Sequence, residues 1–463
     1  MKTNNTSRLI LTVGLFISLS ALYLFKLKSS FNVNSDFGRD IFEMQKIVSG
    51  DPTLIGPMLS VGIFGSPLYF YFYAPILALF HQNPVSIIYA NAVLFSAVFS
   101  TLFYFLSKKK DIFSSLLFIL VPALLLQTIY SGRYPGNAFS YSPFLLSLII
   151  FPLLEIKISK KSLFILGILS FISLSFHPIT LFGIVPLVVW LVISQRKKLL
   201  QLLYYFIPTI MFILPMVVFE LRHNFLITQN FTYRVASNLL PINNFNFIKQ
   251  TLVNNYSSYI FIFSFLAIIL FIRYFKKYSL YEKILTLWTI ITFLLLIFII
   301  PKYDWSYLIS LNLMLGIVAC ISFTKTRLTS LLIAPLLLLI VMNFPHNHYQ
   351  ISKRPLSRFQ NATDLIATNY PSLKNEKFNI MQVSDPSILV PVGHEYRFFL
   401  RKRGFTSLPE TNYSDAKTLL IFSEIGETNI RAIDNWEINQ FGKKFNISLH
   451  QKIDEVDIYV LSK

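Results

Sequence analysis

The sequence predicts a polytopic α-helical membrane protein of about eleven transmembrane helices, carrying a small C-terminal α/β domain. Three observations point there. Apolar runs of about 17 to 22 residues recur along the first 343 positions. Each is long enough to cross a hydrocarbon core of roughly 30 Å as a helix. Only 14% of the 463 residues are charged, against roughly 25% in a soluble protein of this size. Finally, the last 119 residues change character, with short β-prone runs replacing the long apolar ones.

The net charge of +19 invites a nucleic-acid reading, but its placement excludes one. Residues 1–344 hold 26 Lys/Arg against 9 Asp/Glu, a net of +17; residues 345–463 hold 15 against 13, a net of +2. The excess sits in short clusters between apolar runs: Lys108 to Lys110, Lys157 with Lys160 and Lys161, Arg196 to Lys198, Arg273 with Lys276 and Lys277, and Lys325 with Arg327. Basic residues gathered in short loops mark the cytoplasmic side of a membrane. The partner is therefore lipid, not nucleic acid. One cysteine, Cys320, rules out an intrachain disulfide and any Cys/His metal cluster.

The first apolar run, 9–27, follows Lys2 and Arg8 as a signal peptide would. Its apolar stretch is long and no small-x-small site follows, so a retained first span is expected. Further spans are expected near 85–106, 112–129, 138–154, 162–176, 179–194, 200–220, 259–275, 284–300, 306–323 and 329–343, the first covering 8–27. A cytoplasmic N-terminus puts every basic cluster inside and the C-terminal domain outside, in a multi-pass cell-membrane protein. The segment 66–80 is apolar but short, with Pro67 and Pro75 and alternating Tyr69, Tyr71 and Tyr73. Its length and aromatics suit an interfacial or re-entrant segment. The expected division is a membrane domain over 1–343 with a first external loop at 28–82, a linker at 344–358, and an α/β domain over 359–463. Within the last, "KFNIMQVS", "TLLIFSE", "FNISLHQKI" and "VDIYVLSK" read as strands. "RFQNATDLIATNY" and "EYRFFLRKRG" read as helices.

The first loop holds the chemistry. Asp36, Asp40, Glu43 and Asp51 crowd into it, although the membrane part has only nine acids. Asp36 and Asp40 are four apart and share a helix face, where like charges repel. A partner cation, a bound metal or a substrate hydroxyl would each compensate; the plain alternative is a solvated helix with an acidic first turn.

Asp36, Asp40, Gly50-Asp51, Gly56-Pro57 and "GSPLYFYFYAP" (65–75) follow a first span in this order. Weaker echoes follow in "NPVSIIYANAVLFS", "YSGRYPGN", "SFHPITLFGIVPL", "FELRHNF" and "KYDWSYLISL". The pattern resembles the GT-C superfamily of membrane glycosyltransferases. It is similar in particular to the family 39-like branch of protein O-mannosyltransferases, lipid A aminoarabinose transferases and rhizobial core-oligosaccharide transferases. The resemblance implies transfer of a hexosyl or pentosyl unit from a polyprenyl-phosphate-linked donor to an extracytoplasmic hydroxyl on a glycan, lipid or protein, with inversion. It implies Asp36 as general base, with Asp40 the second choice. Some relatives carry Lys or His before the proline-leucine segment, where this chain has Ser66-Pro67-Leu68. The cation for the lipid phosphate is then sought among Arg39, Arg133, Arg222, His223 and Lys302, each of which also reads as an interfacial snorkelling base. His177 reads as a cavity residue or a satisfied core histidine. Tyr134, Tyr303 and Trp305 read as sugar-stacking rings or as members of an aromatic belt.

No Gly-rich phosphate loop, DxD triplet or Ser-His-Asp arrangement occurs, which argues against a soluble nucleotide-sugar donor. No motif demands a cofactor. A divalent metal stays an open alternative, since Asp36 and Asp40 alone are too few ligands. The competing class is a transporter or lipid-linked saccharide flippase. Transporters place charge at the bilayer midplane, often in two repeated halves; here the acids cluster in a loop and no matching halves are evident. The topology is testable with a reporter fused after Lys463, which is expected to score extracytoplasmic; a cytoplasmic signal would sink the eleven-span reading.

Overall fold

The computed structural model describes residues 4–57, 64–154, 157–211, 214–226, 228–229, 232, 258–299, 308–325, 332–384 and 392–463. The chain forms two compact units that cut across the sequence. A helical unit takes Met1–Phe25, Thr53–Phe72 and Ile87–His348; an α/β unit takes Lys26–Pro52, Tyr73–Ser86 and Tyr349–Lys463.

The helices run in order as α1 (Asn5–Leu24), α2 (Leu27–Ser30), α3 (Ser35–Val48), α4 (Leu68–Leu79), α5 (Val85–Ser107), α6 (Ile112–Leu124), α7 (Leu126–Arg133), α8 (Ser142–Ile150), α9 (Lys160–Phe176) and α10 (Leu181–Ser194). They continue as α11 (Leu203–Met211), α12 (Leu214–Arg222), α13 (Ser258–Arg273), α14 (Leu280–Ile299), α15 (Leu308–Phe323) and α16 (Ile333–Met342). Each of the expected spans falls on one or two of these. Among the described residues, two helices are long and apolar enough to cross a membrane, or up to four if each bent pair counts as one span; the other apolar helices are shorter.

One bent pair has a plain cause. Helix α6 turns by 70° into α7 at Leu125, just after Pro122 inside α6. Proline lacks the N–H that the helix needs and its ring crowds the preceding turn. Helix continues to Arg133, past the expected span end at 129, so the first half of "YSGRYPGN" is helical.

Every residue of α15 is buried, and α6, α8, α13 and α14 pack around it. A helix apolar on all sides belongs at the centre of such a bundle. Helices α9 and α11 approach closely at Gly167, where an added Cβ would lie 2.3 Å from the Tyr205 carbonyl oxygen. Small residues at helix contacts permit this approach in membrane bundles. Ser170 Oγ and Tyr205 Oη, 2.9 Å apart, add a hydrogen bond to the contact.

The α/β unit has a four-stranded sheet, ordered β1 (Phe378–Val383), β2 (Thr418–Ser423), β4 (Val456–Ser462), β3 (Asn446–Ile453). Strands β1 and β2 are parallel; the other pairings are antiparallel. The four strands coincide with the four runs marked from sequence. The β3–β4 hairpin turns at Asp454 and Glu455, both at positive φ (45° and 64°), as a two-residue turn matched to strand twist requires. Helices α17 (Leu356–Asn369) and α18 (His394–Lys402) pack on each other. Tyr396 of α18 stacks on Phe422 of β2 at 3.9 Å. A separate cluster joins Met381, Leu419, Ile421, Tyr459 and Leu461 to Ile430, Ile438 and Phe441, the last two on α19 (Trp436–Phe441). Strand β2 is thus covered on both faces and buried at every position. Substituting Gly167→Val should separate α9 from α11 and lower stability by about 1–3 kcal/mol, read as a drop in the unfolding temperature of purified protein. An unchanged temperature would show that the contact is not tight.

Candidate active site

Helix α3 carries the acidic motif within the α/β unit. Asn34 starts it, its side-chain oxygen accepting the Phe37 N–H at 2.8 Å, as an N-cap should. Phe37, Ile41 and Met44 form its buried face, and α3 packs on α18. The approach is close at Gly38, where a Cβ would fall 2.5 Å from Glu395 Cγ.

The repulsion expected between Asp36 and Asp40 is relieved by Arg39. Its Nη1 donates to Asp36 Oδ1 at 3.0 Å, and its Nε and Nη2 donate to Asp40 Oδ1 at 3.0 and 2.7 Å. The two carboxylates differ sharply in access: the Asp36 side chain is 68% exposed and that of Asp40 is 2% exposed. A charged-pair hydrogen bond to a buried carboxylate is strong, so Asp40 fixes Arg39 while Asp36 stays open to an incoming molecule. Glu43 pairs with Lys46 at 2.6 Å. Among the described residues no three His, Cys, Asp or Glu side chains gather in a way that would hold a metal.

The chain leading into α3 is fastened to residues more than three hundred positions away. Val33 N–H donates to the Arg354 carbonyl at 2.9 Å, and Ser352 N–H to that of Ser29 at 2.9 Å. The Arg354 guanidinium returns a bond to the Val33 carbonyl. It also donates from Nε to Glu424 Oε2 at 2.6 Å, and from Nη2 to Glu424 Oε1 at 2.9 Å and Glu395 Oε1 at 3.3 Å. Tyr396 Oη and Gln382 Nε2 donate to the same Glu424 oxygen at 3.0 and 2.9 Å. Burial pushes the Glu395 carboxyl above its ordinary range and outweighs the Arg354 charge that pulls it down. Burial, then the Glu424 and Glu395 charges, push Tyr396 well up. None of these contacts is marked in sequence, because Arg354 sits in what reads as a linker and its partners lie 41 and 70 residues away.

The remaining candidates lie in the helical unit. Arg133 is buried and spends its guanidinium on main-chain carbonyls: Tyr23 and Phe25 at 2.9 Å each, and His348 at 3.1 Å. The first two belong to the end of α1, so Arg133 caps that helix. Tyr134 is buried and stacked on Tyr130 at 5.2 Å. His177 is buried, and its Nδ1 accepts the Ile179 N–H at 3.2 Å, capping a short helical turn. Tyr69 joins these neighbourhoods, donating from Oη to the Pro135 carbonyl at 3.1 Å and meeting Phe176 edge-on at 5.5 Å. Tyr141 lies 6.2 Å from the His177 ring and accepts a hydrogen bond from Ser310 at 3.2 Å. Arg222 is exposed at the end of α12. His223 stacks on Phe219 at 4.0 Å. Lys302, Tyr303 and Trp305 lie outside the described residues. The structure therefore gathers Asp36, Arg39 and Asp40 in one unit, and Tyr134 and His177 around Tyr69 in the other.

The chain shares its fold, a helical unit with a small α/β unit, with other proteins of known structure. Among solved structures it is similar to ArnT from Cupriavidus metallidurans, determined bound to undecaprenyl phosphate. That likeness covers 97% of each chain with a TM-score of 0.65 at 9% identity. It is also similar to the Archaeoglobus fulgidus oligosaccharyltransferase, determined with zinc and sulfate. There the TM-score is 0.51 at 11% identity, over 88% of this chain and 67% of that one. No protein-family model and no curated protein sequence matches the chain.

The Arg354 network predicts opposite outcomes for two substitutions. Arg354→Met leaves buried carboxylates without their cation and should cost about 3–5 kcal/mol. Glu395→Gln should cost little. A carboxyl whose pKa is raised in the folded state contributes its stability fully below the unfolded value and loses it as pH rises through the folded value. Relative to wild type, Glu395→Gln should therefore gain as pH climbs above the ordinary value of 4.5. Unfolding temperatures across pH check this; a Gln variant that loses ground with rising pH would refute it.

Proposed function

We propose that the protein is an integral membrane glycosyltransferase that moves a sugar from a polyprenyl-phosphate donor to a hydroxyl outside the cytoplasm. The observation that carries this reading is the fold likeness to ArnT across 97% of both chains, in a protein determined with undecaprenyl phosphate, taken with an exposed carboxylate on the loop helix. In the proposed step, Asp36 takes the proton of the acceptor hydroxyl. The acceptor oxygen forms its bond to the anomeric carbon as the bond to the phosphate oxygen breaks. The lipid phosphate leaves with the electron pair, and the in-line path inverts the carbon. A carboxylate can serve as base only where a hydroxyl can reach it, which favours Asp36 over the enclosed Asp40. Asp40 instead holds Arg39 in place.

The leaving phosphate needs cationic or N–H partners. Arg133 is committed to carbonyls and Arg39 to carboxylates, so Arg222 and His223 are the proposed contacts, with Lys302 retained from the sequence. Tyr134, His177 and Tyr303 are proposed to line the donor's path. The α/β unit faces outward in this reading.

The test is sugar transfer in membranes from a polyprenyl-phosphate sugar. Asp36→Asn should lower turnover by about 10²–10⁴-fold at unchanged expression, and Asp40→Asn by less. Wild-type turnover in a folded Asp36→Asn variant would remove Asp36 as the base; a loss confined to Asp40→Asn would exchange the two roles.

A further inference from the structure

The loop lysines at the opposite helix ends from Tyr134 and His177 are not all idle surface charge. A cavity of about 400 Å³ opens there among the ends of the helical unit, lined by Lys110, Lys277, Lys325, Glu282, Trp190 and Tyr281 among others. Its volume is that of a site for a small ligand or a headgroup. Glu282 is already committed: its Oε2 receives Lys325 Nζ at 2.6 Å and the Ser279 N–H at 2.7 Å. Lys110 and Lys277 have no carboxylate partner among the described residues, resting instead over Phe118 at 5.6 Å and Tyr274 at 5.0 Å. Among the described lining residues, three lysines stand against one glutamate, a net of +2. Trp190 and Tyr281 meet edge-on at 5.8 Å beside it, and such rings favour the headgroup level of a bilayer.

We propose that this cavity binds a phosphate-bearing anion, presented by a phospholipid headgroup of the membrane leaflet on the lysine-rich side. The two unpaired ammonium groups supply charge and donors for phosphate oxygens. The Glu282–Lys325 pair lines the same cavity. The site is separate from the transfer reaction and does not rest on it.

The experiment uses the full-length protein, delipidated in a neutral detergent. It measures binding of short-chain phosphatidylglycerol, phosphatidylcholine and inorganic phosphate by native mass spectrometry and calorimetry. Phosphatidylglycerol should bind wild type on the order of 10-fold or more tighter than it binds the Lys110→Gln/Lys277→Gln double variant. Phosphatidylcholine should bind weakly to both. Because the double variant could lose structure instead, Glu282→Gln supplies the converse. It keeps an acceptor for Ser279, removes the competing charge, and should raise phosphatidylglycerol affinity. Inorganic phosphate that binds alone as tightly as the lipid would keep the phosphate site but overturn its assignment to a headgroup. Equal phosphatidylglycerol affinity in wild type, the double variant and Glu282→Gln would overturn the site altogether.

Discussion

The pairing of residues 29–33 with 352–354 is the contact on which the α/β unit depends. It joins two stretches of chain separated by most of the helical unit, so α3 cannot be placed by local sequence alone. Closing so long a loop is less costly than its length suggests, because the entropy grows only with the logarithm of loop size. The backbone bonds between Val33 and Arg354 and between Ser29 and Ser352 set the register. The Arg354 side chain then makes that register hard to leave. It is the cation for Glu424 and Glu395, both in the core of the unit, and a buried carboxylate without a cation is far costlier than an exposed one. The helix that presents Asp36 is thereby fixed by charges it does not itself carry.

A different constraint organises the helical unit. Main-chain groups at a buried helix end lack intrahelical partners, so a helix that ends or bends there must find them within the protein. Two ends in this unit do so with buried side chains from elsewhere. Arg133 takes the terminal carbonyls of α1. Asn91, from α5, donates to the carbonyls of Ser131 and Gly132 at 2.8 and 3.0 Å near the end of α7. The bend at Leu125 brings α7 to the place where Arg133 can reach α1. A proline at position 122 and an arginine at 133 therefore belong to one arrangement, although eleven residues separate them.

Much of the fold was legible because the signals were local. The strands announced themselves by short β-prone runs between turn residues, and the helices by apolar length. The short α19 escaped notice because its six residues give periodicity too little room. The site was legible only in part. Asp36 and Asp40 stood out by their spacing and by the scarcity of acids around them. Arg133 entered as a candidate cation for the lipid phosphate, yet its carbonyl partners are invisible in a side-chain pattern. Arg354 was passed over as one base in a basic linker. Nothing in its surroundings reveals that it faces Glu395 and Glu424 rather than water.

The crowding of acids in the first loop also takes on a physical order. Asp40 and Asp36 both bond Arg39, one from within the fold and one from its surface, and Glu43 bonds Lys46 one turn further on. Each cation sits three residues or fewer from its acid, so the helix neutralises most of its own charge without help from distant residues. That economy separates the two aspartates by environment, not by chemistry. A single arginine held from beneath by a buried carboxylate presents an otherwise accessible one on its outer side. The sequence spacing that would destabilise a bare helix is thus the spacing that lets one guanidinium serve both.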